Sequence, residues 1–296
     1  MIKVCFISHH FKSPEIYLQQ ILKMTPGQSG KWKDMEAVTT PMAADFCAVF
    51  DGINKGLSVP LDRCLFFGEH PDCSPAYDEW PNMPARAKFP LKQFLNPGEW
   101  WLDYSYDFLA HLSLPTKTKN MICVFTGHTH NPMYIKRKEW IRGFCEYYKN
   151  LDLFGRPTAN FTSDPILKKY HKGILGINNP IGQLGQHQTG KECLVDYKYS
   201  LEFDVGPTIN YISERFYDAV LLWTIPFYFG SSNVHKYLPE NSFQYVDSDK
   251  PNYASVVQTM ENGFYEKNIP ALSEARNLLL NKYQIWPYVY DTIKSL

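Results

Sequence analysis

The chain has 296 residues, and its 30 Lys and Arg balance its 30 Asp and Glu, leaving no global field to attract a polyanion. That balance argues against nucleic acid as a partner. A chain of this length exceeds what one hydrophobic core usually fills, so two domains are expected.

The opening MIKVCFISHHF carries one lysine and then a short β-type run, too short to span a membrane and without a small-residue cleavage site; 3–8 reads as a strand. A helical pattern follows over 14–24, then strands over 46–50 and 64–67. Residues 71–97 are proline-rich without a period and read as a long functional loop. The stretch 112–120 looks like an interdomain linker. Beyond it, strands over 121–126, 151–154, 197–203, 225–229 and 243–245 are interleaved with helical patterns over 136–149, 211–222 and 253–263. Such alternation predicts parallel sheets with crossover helices, an α/β fold. No stretch approaches twenty uninterrupted apolar residues. The seven cysteines are odd in number and several fall inside strand-like runs, which predicts buried free thiols in a reducing compartment. Aromatic residues suit sugar stacking, although most of them are accounted for by core packing.

The densest signal lies in 197–245. Tyr199, Leu201 and Phe203 alternate with Lys198, Ser200 and Glu202, the period of a strand. A loop follows over 204–210, with Gly206 and Pro207 as breakers. Phe216, Ala219, Val220 and Trp223 then recur at helical spacing. Glu214 and Arg215 therefore fall in a first turn, where unpaired N–H groups and the helix dipole favour a phosphate. After the buried strand 225–229, Gly230-Ser231-Ser232 is expected to let backbone approach a ligand closely.

The order of these residues resembles family 10 of the glycosyltransferases, the α1,3/α1,4-fucosyltransferases. Tyr211-Ile212-Ser213-Glu214-Arg215 resembles the family's Tyr-(Val/Ile)-Thr-Glu-Lys helix start, and Asp218-Ala219, Thr224-Ile225-Pro226 and Tyr228-Phe229-Gly230 follow in the family's order. RCLFFGEHP over 63–71 resembles the strand-then-Gly-Glu element whose glutamate is the family's proposed base, which implies Glu69 as the catalytic residue. Residues 121–156 resemble the strand, polar loop and basic helix that meet the donor diphosphate. That implies Arg137, with Lys136 as the adjacent alternative, and His128 in the loop before them. Asp204, Tyr211, Ser213, Glu214 and Arg215 complete the implied donor set. Two departures stand out. Phe203-Asp204-Val205-Gly206 replaces the family's Phe-Glu-Asn-Ser, so the sugar need not be fucose; Arg215 replaces a lysine, keeping the charge and adding a fork suited to phosphate.

The resemblance implies a fold of the GT-B type, with two Rossmann-like domains facing a cleft. Residues 1–115 would form the acceptor-side domain carrying the base, 120–280 the donor-nucleotide domain, and 281–296 a C-terminal helix packing back on the first. It implies an inverting, metal-independent transfer of L-fucose from GDP-fucose to a hydroxyl of a glycan acceptor, with the nucleotide sugar as substrate and no separate cofactor. Animal relatives are Golgi membrane proteins with a stem; neither anchor nor stem is read here, which implies a cytoplasmic enzyme of bacterial or viral type.

Three readings compete. The same fold can use another nucleotide sugar. A non-catalytic carbohydrate-binding protein would keep the aromatic residues but has no need of Glu69 together with Arg137, Glu214 and Arg215. Gly127-His128-Thr129-His130 after a buried strand spells a metal-binding element of calcineurin-like metallophosphoesterases, since imidazoles ligate such ions well. The early Asp-x-His, Gly-Asp and Gly-Asn-His elements of that fold have no counterpart in this sequence. Asp247-Ser248-Asp249 has the spelling of a metal-binding Asp-x-Asp, but it lies past the donor motif in a turn flanked by Lys and Pro.

Overall fold

The computed structural model describes residues 1–68, 88–89, 94–125, 132–155, 163–173, 190–204, 206 and 208–296. Its first half builds one sheet from β1 (Ile2–Ser8), β2 (Lys31–Trp32), β3 (Met35–Ala37), β4 (Phe46–Phe50), β5 (Cys64–Phe67) and β6 (Lys88–Phe89), in the order β2-β3-β1-β4-β5-β6. All pairs are parallel except β2 with β3. The central strands are buried from Val4 to Ser8 and from Cys47 to Phe50, as expected of strands covered on both faces. Helix α1 (Pro14–Ile21) starts where Pro14 presets the backbone and the Ser13 hydroxyl accepts a hydrogen bond from Ile16 N at 3.5 Å.

The second sheet contains β7 (Lys119–Val124), β8 (Leu151–Phe154), β9 (His171–Gly173), β10 (Tyr197–Phe203), β11 (Ile225–Phe229) and β12 (Gln244–Tyr245), all parallel, in the order β12-β11-β10-β7-β8-β9. Helix α2 (Tyr106–His111) precedes it. Around it lie α3 (Pro132–Tyr147), α4 (Pro165–Tyr170), α5 (Glu214–Leu221), α6 (Tyr253–Glu261), α7 (Phe264–Lys267) and α8 (Ile269–Leu278). Helix α9 (Ile285–Lys294) ends the chain against elements of the first sheet. There the Trp286 indole donates to Ile21 O at 2.9 Å and sits 4.6 Å from the Phe6 ring, and Lys294 meets Asp34 at 2.8 Å. A continuous apolar cluster runs from Val4 to Ile293 through residues of both sheets. The chain is therefore an α/β protein. Among the described residues, no helix is long and apolar enough to cross a membrane.

Three expectations are refined. The linker expected over 112–120 yields Lys119 and Asn120 to β7. The helical pattern over 211–222 yields a helix that starts at Glu214 with Ser213 as its cap, as the placing of Glu214 and Arg215 in a first turn implied; ahead of it Asn210 takes a left-handed backbone (φ 62°) and Ile212 N donates to Asn96 Oδ1 at 2.9 Å. The short strands β2, β3, β6 and β9 exist through pairing alone and have no sequence period of their own.

Candidate functional site

In the second sheet the chain runs from β7 outward through β8 and β9, then returns to the other side of β7 and runs outward through β10, β11 and β12. The order reverses between β7 and β10. At such a reversal the following helices leave on opposite faces and open a crevice at the carboxyl ends, where ligands of open α/β sheets bind. Here α3 follows β7 and α5 follows β10. Trp140 of α3 packs 5.2 Å from Phe203, whereas Phe216 of α5 packs 4.9 Å from Tyr228, whose side chain leaves the sheet on the opposite side.

Each of these helices brings one arginine to the crevice. Arg215, in the first turn of α5, donates from Nη1 to the carbonyl of Val124, the last residue of β7, at 3.1 Å. The side chain thus crosses the switch point. Arg137 on α3 is buried, with its guanidinium 4.6 Å from the Tyr134 ring centre and 5.2 Å from that of Phe125. Burial pulls the Arg137 pKa down to about 10, and the charge of Arg215 pulls in the same direction. Arg215 behaves differently: burial alone would lower it, but Glu214, Glu202 and Asp204 together hold it above its ordinary value. Two repelling cations, partly stripped of water, favour an anion between them.

The frame around them is cross-linked. Asp204 follows β10 and accepts hydrogen bonds from the Ser213 and Tyr228 hydroxyls, one on each carboxylate oxygen. Burial raises its pKa to about 6, while those two hydrogen bonds oppose the shift. The Tyr228 hydroxyl in turn accepts from Ser231 N at 2.9 Å. Nearby, Asn233 binds both the backbone N–H and the side chain of Asn210, at 2.9 and 2.6 Å. Gly230 is required here: a Cβ would lie 2.2 Å from the Tyr228 oxygen and 2.6 Å from Asp204 Oδ2. Its missing side chain makes room for this internal brace.

The sequence-predicted residues divide accordingly. Arg137 and Arg215 come together. Asp204 and Ser213 are both buried and serve the brace; Ser213 occupies the cap position of α5, but its hydroxyl turns to Asp204 and makes no capping bond. Tyr211 is also buried, and its carbonyl accepts from Tyr228 at 3.5 Å. Glu214 faces cations, with Arg215 at 3.7 Å and Lys191 at 3.9 Å. Lys136 is drawn off to the surface, where it pairs with Asp249 at 2.6 Å, so of the two basic neighbours on α3 it is Arg137 that faces the crevice. Asp247 is occupied too, accepting from Asp249 N and Lys250 N at 2.8 and 3.1 Å, a local turn. Glu69, His128 and the rest of Gly127–His130 lie outside the described residues. Among the described residues, no group of three His, Cys, Asp or Glu is placed to hold a metal.

Sequence reasoning gave no site role to three charged residues, Lys191, Asp218 and Glu202. Lys191 Nζ meets the fully buried Asp218 at Oδ2, 2.6 Å away, and Asp218 Oδ1 accepts from Trp101 N at 2.8 Å. Glu202 reads as the polar face of β10, yet it is only 3% exposed. Burial pushes its pKa up to about 8 even though Lys191 and Arg215 pull it down. The one available signal was Glu202's place one residue before the end of a strand leading into the site.

No protein-family model and no curated protein matches the chain. Among solved structures it is similar to an α1,3-fucosyltransferase crystallised with GDP-fucose, with a TM-score of 0.44 and 16% identity over 93% of this chain and 82% of that one. WaaG, a glycosyltransferase involved in lipopolysaccharide biosynthesis, gives a TM-score of 0.45 and 9% identity over 100% and 98% of the two chains. A candidate UDP-N-acetylglucosamine 2-epimerase from Listeria monocytogenes gives 0.40 and 11% over 99% and 96%.

Proposed function

We propose that the protein is a GT-B-type glycosyltransferase that binds the diphosphate of a nucleotide sugar between Arg137 and Arg215 and transfers the sugar to a hydroxyl of a glycan. The observation that carries this reading is the convergence of those two arginines at the β7/β10 reversal, with Arg215 bonded across it to Val124. Charge that builds on a departing diphosphate is stabilised by fixed cations in a partly desolvated setting, without a metal. The donor is proposed as GDP-fucose on the motif resemblance of 211–230. Inversion requires one base on the acceptor side, and Glu69 is assigned that role. Residues 1–115 would carry the acceptor side, 120–280 the donor, and the helix in 281–296 would return to the first domain in a cytoplasmic enzyme.

A second reading keeps the reaction and changes the sugar. Asp204 favours it, because both of its oxygens are held by Ser213 and Tyr228. The experiment is thermal unfolding of the wild type with GDP, UDP, CDP and their sugars. A ligand that binds only the folded state raises the midpoint by mass action. GDP and GDP-fucose are expected to raise it most; stabilisation by UDP alone would select the second reading, and stabilisation by no nucleotide would remove both.

A further inference from the structure

The crevice that would receive an anion is also lined by carboxylates. Burial opposes charge on the Arg215 guanidinium, yet Glu214, Glu202 and Asp204 outweigh it and hold the group above its ordinary pKa. Each of the three would repel a diphosphate bound at the same arginine unless it is neutral or already compensated by its surroundings. Two of them are compensated. Asp204 has a hydroxyl on each oxygen, from Ser213 and Tyr228. Glu214 lies 3.7 Å from Arg215 and 3.9 Å from Lys191.

Glu202 has no such arrangement. It stands one residue before the end of β10, beside Tyr228 of β11 in the sheet register, and is almost fully buried. Among the described residues it has no ion-pair partner within 4 Å: Lys191 is turned to Asp218 at 2.6 Å, and Arg215 to Val124 O at 3.1 Å and to Glu214. The groups that face it are Lys191 of the 191–196 turn, Arg215 and Asp218 of α5 and Cys123 of β7, with the Ser200 hydroxyl two residues back on the same face of β10. A carboxyl buried without a cation at contact distance favours its neutral form, and burial pushes its pKa up to about 8.

We infer that Glu202 links donor binding to protons: the carboxyl is neutral while the diphosphate is bound, and it takes up a proton from solvent as that anion arrives. This inference rests on the diphosphate reading above. The coupling works in both directions, because an anion that favours the neutral carboxyl is itself favoured by it. Below about pH 8 the carboxyl is already neutral and leaves the Arg215 charge to the ligand. Above that pH its ionised form competes for Arg215 and repels the diphosphate, so affinity falls as pH rises.

The test is calorimetric titration of GDP into wild type and Glu202→Gln between about pH 7 and about pH 9. At about pH 8.5 it is repeated in two buffers of different ionisation heat, which counts the protons taken up per GDP. Protons exchanged by GDP itself are common to both proteins and cancel in the comparison. A diphosphate that raises the Glu202 pKa by about one unit draws in about half a proton at about pH 8.5 and weakens GDP about fivefold across the range in wild type. Glu202→Gln is neutral at every pH; it should bind GDP within about twofold of wild type at about pH 7 and lose both effects.

A variant that takes up as many protons as wild type overturns the inference, and so does one that folds but loses GDP binding at neutral pH. Wild-type uptake below about 0.1 proton also overturns it, and that result decides the matter without any variant if Glu202→Gln fails to fold. A wild type that binds no GDP at any pH in this range removes the diphosphate reading itself and this inference with it.

Discussion

The carboxyl edges of the two sheets are built to opposite standards. At the β7/β10 edge, Asp204, Ser213, Tyr228 and Ser231 form one chain of hydrogen bonds, Asn210 and Asn233 form a second, and Lys191, Asp218 and Trp101 form a third. At the β1/β4 edge, the described residues join the loops mainly through backbone groups: the Asn54 amide to the Phe11 and Ser8 carbonyls, His9 N to Phe50 O, Asp51 N to Phe67 O, and His10 3.7 Å from Asp51. Charge explains the difference. An edge that holds two partly dehydrated arginines beside one another is stable only if the surrounding dipoles and carboxylates are fixed in advance.

Breaking the second edge should therefore cost more than breaking the first. The largest effect is expected for Lys191→Met, which strands the fully buried Asp218 carboxylate; roughly 3–5 kcal/mol of stability should be lost in denaturant unfolding. A loss below about 1 kcal/mol would mean that the pair is dispensable. Gly230→Ala comes next, because its Cβ meets the Tyr228 oxygen and Asp204 together, and about 1–3 kcal/mol should be lost. At the first edge, Asn54→Ala removes an amide that donates to the Phe11 carbonyl and, at 3.5 Å, to that of Ser8, and should cost only about 0.5–1.5 kcal/mol. Equal losses at Gly230 and Asn54 would erase the contrast between the edges.

Glu202 sharpens the comparison through pH. Its folded pKa, raised by burial to about 8, lies above the ordinary 4.5, so between these values the folded state holds a proton that the unfolded chain has released. Stability from this group is complete below about 4.5 and declines as pH rises toward about 8. Glu202→Gln should be free of that decline, so variant minus wild-type stability should increase across this range. A difference that stays flat with pH would show that Glu202 titrates normally.

Much of this frame was legible in the sequence. Strands over 46–50, 64–67, 151–154, 197–203 and 225–229 carry dense runs of apolar and aromatic residues, and the structure gives them the same bounds. Arg215 was legible because it falls in the first turn of a periodic helix that follows a strand, whereas Arg137 came only from the family resemblance of 121–156, with Lys136 beside it. What escaped depends on long-range contacts. Lys191 pairs with a residue 27 positions away, and Asn96 reaches Ile212 across 116 positions just ahead of α5. His10 and Asp51 carry no shared pattern, since only the parallel pairing of β1 with β4 brings them together. Glu202 was misread for a related reason. The polar half of an alternating strand looks solvent-facing until elements packed over it, here α5 and the 191–196 turn, bury both faces.

The central claim is that Arg137 and Arg215 share one diphosphate, and calorimetric titration of GDP into wild type, Arg137→Ala, Arg215→Ala and the double variant tests it most directly. Each single variant should lose about 2–5 kcal/mol of binding, roughly thirtyfold or more in Kd, and the double should lose less than the sum because both side chains serve one ligand. Unchanged GDP affinity in both single variants would contradict the account and move the nucleotide away from the β7/β10 crevice.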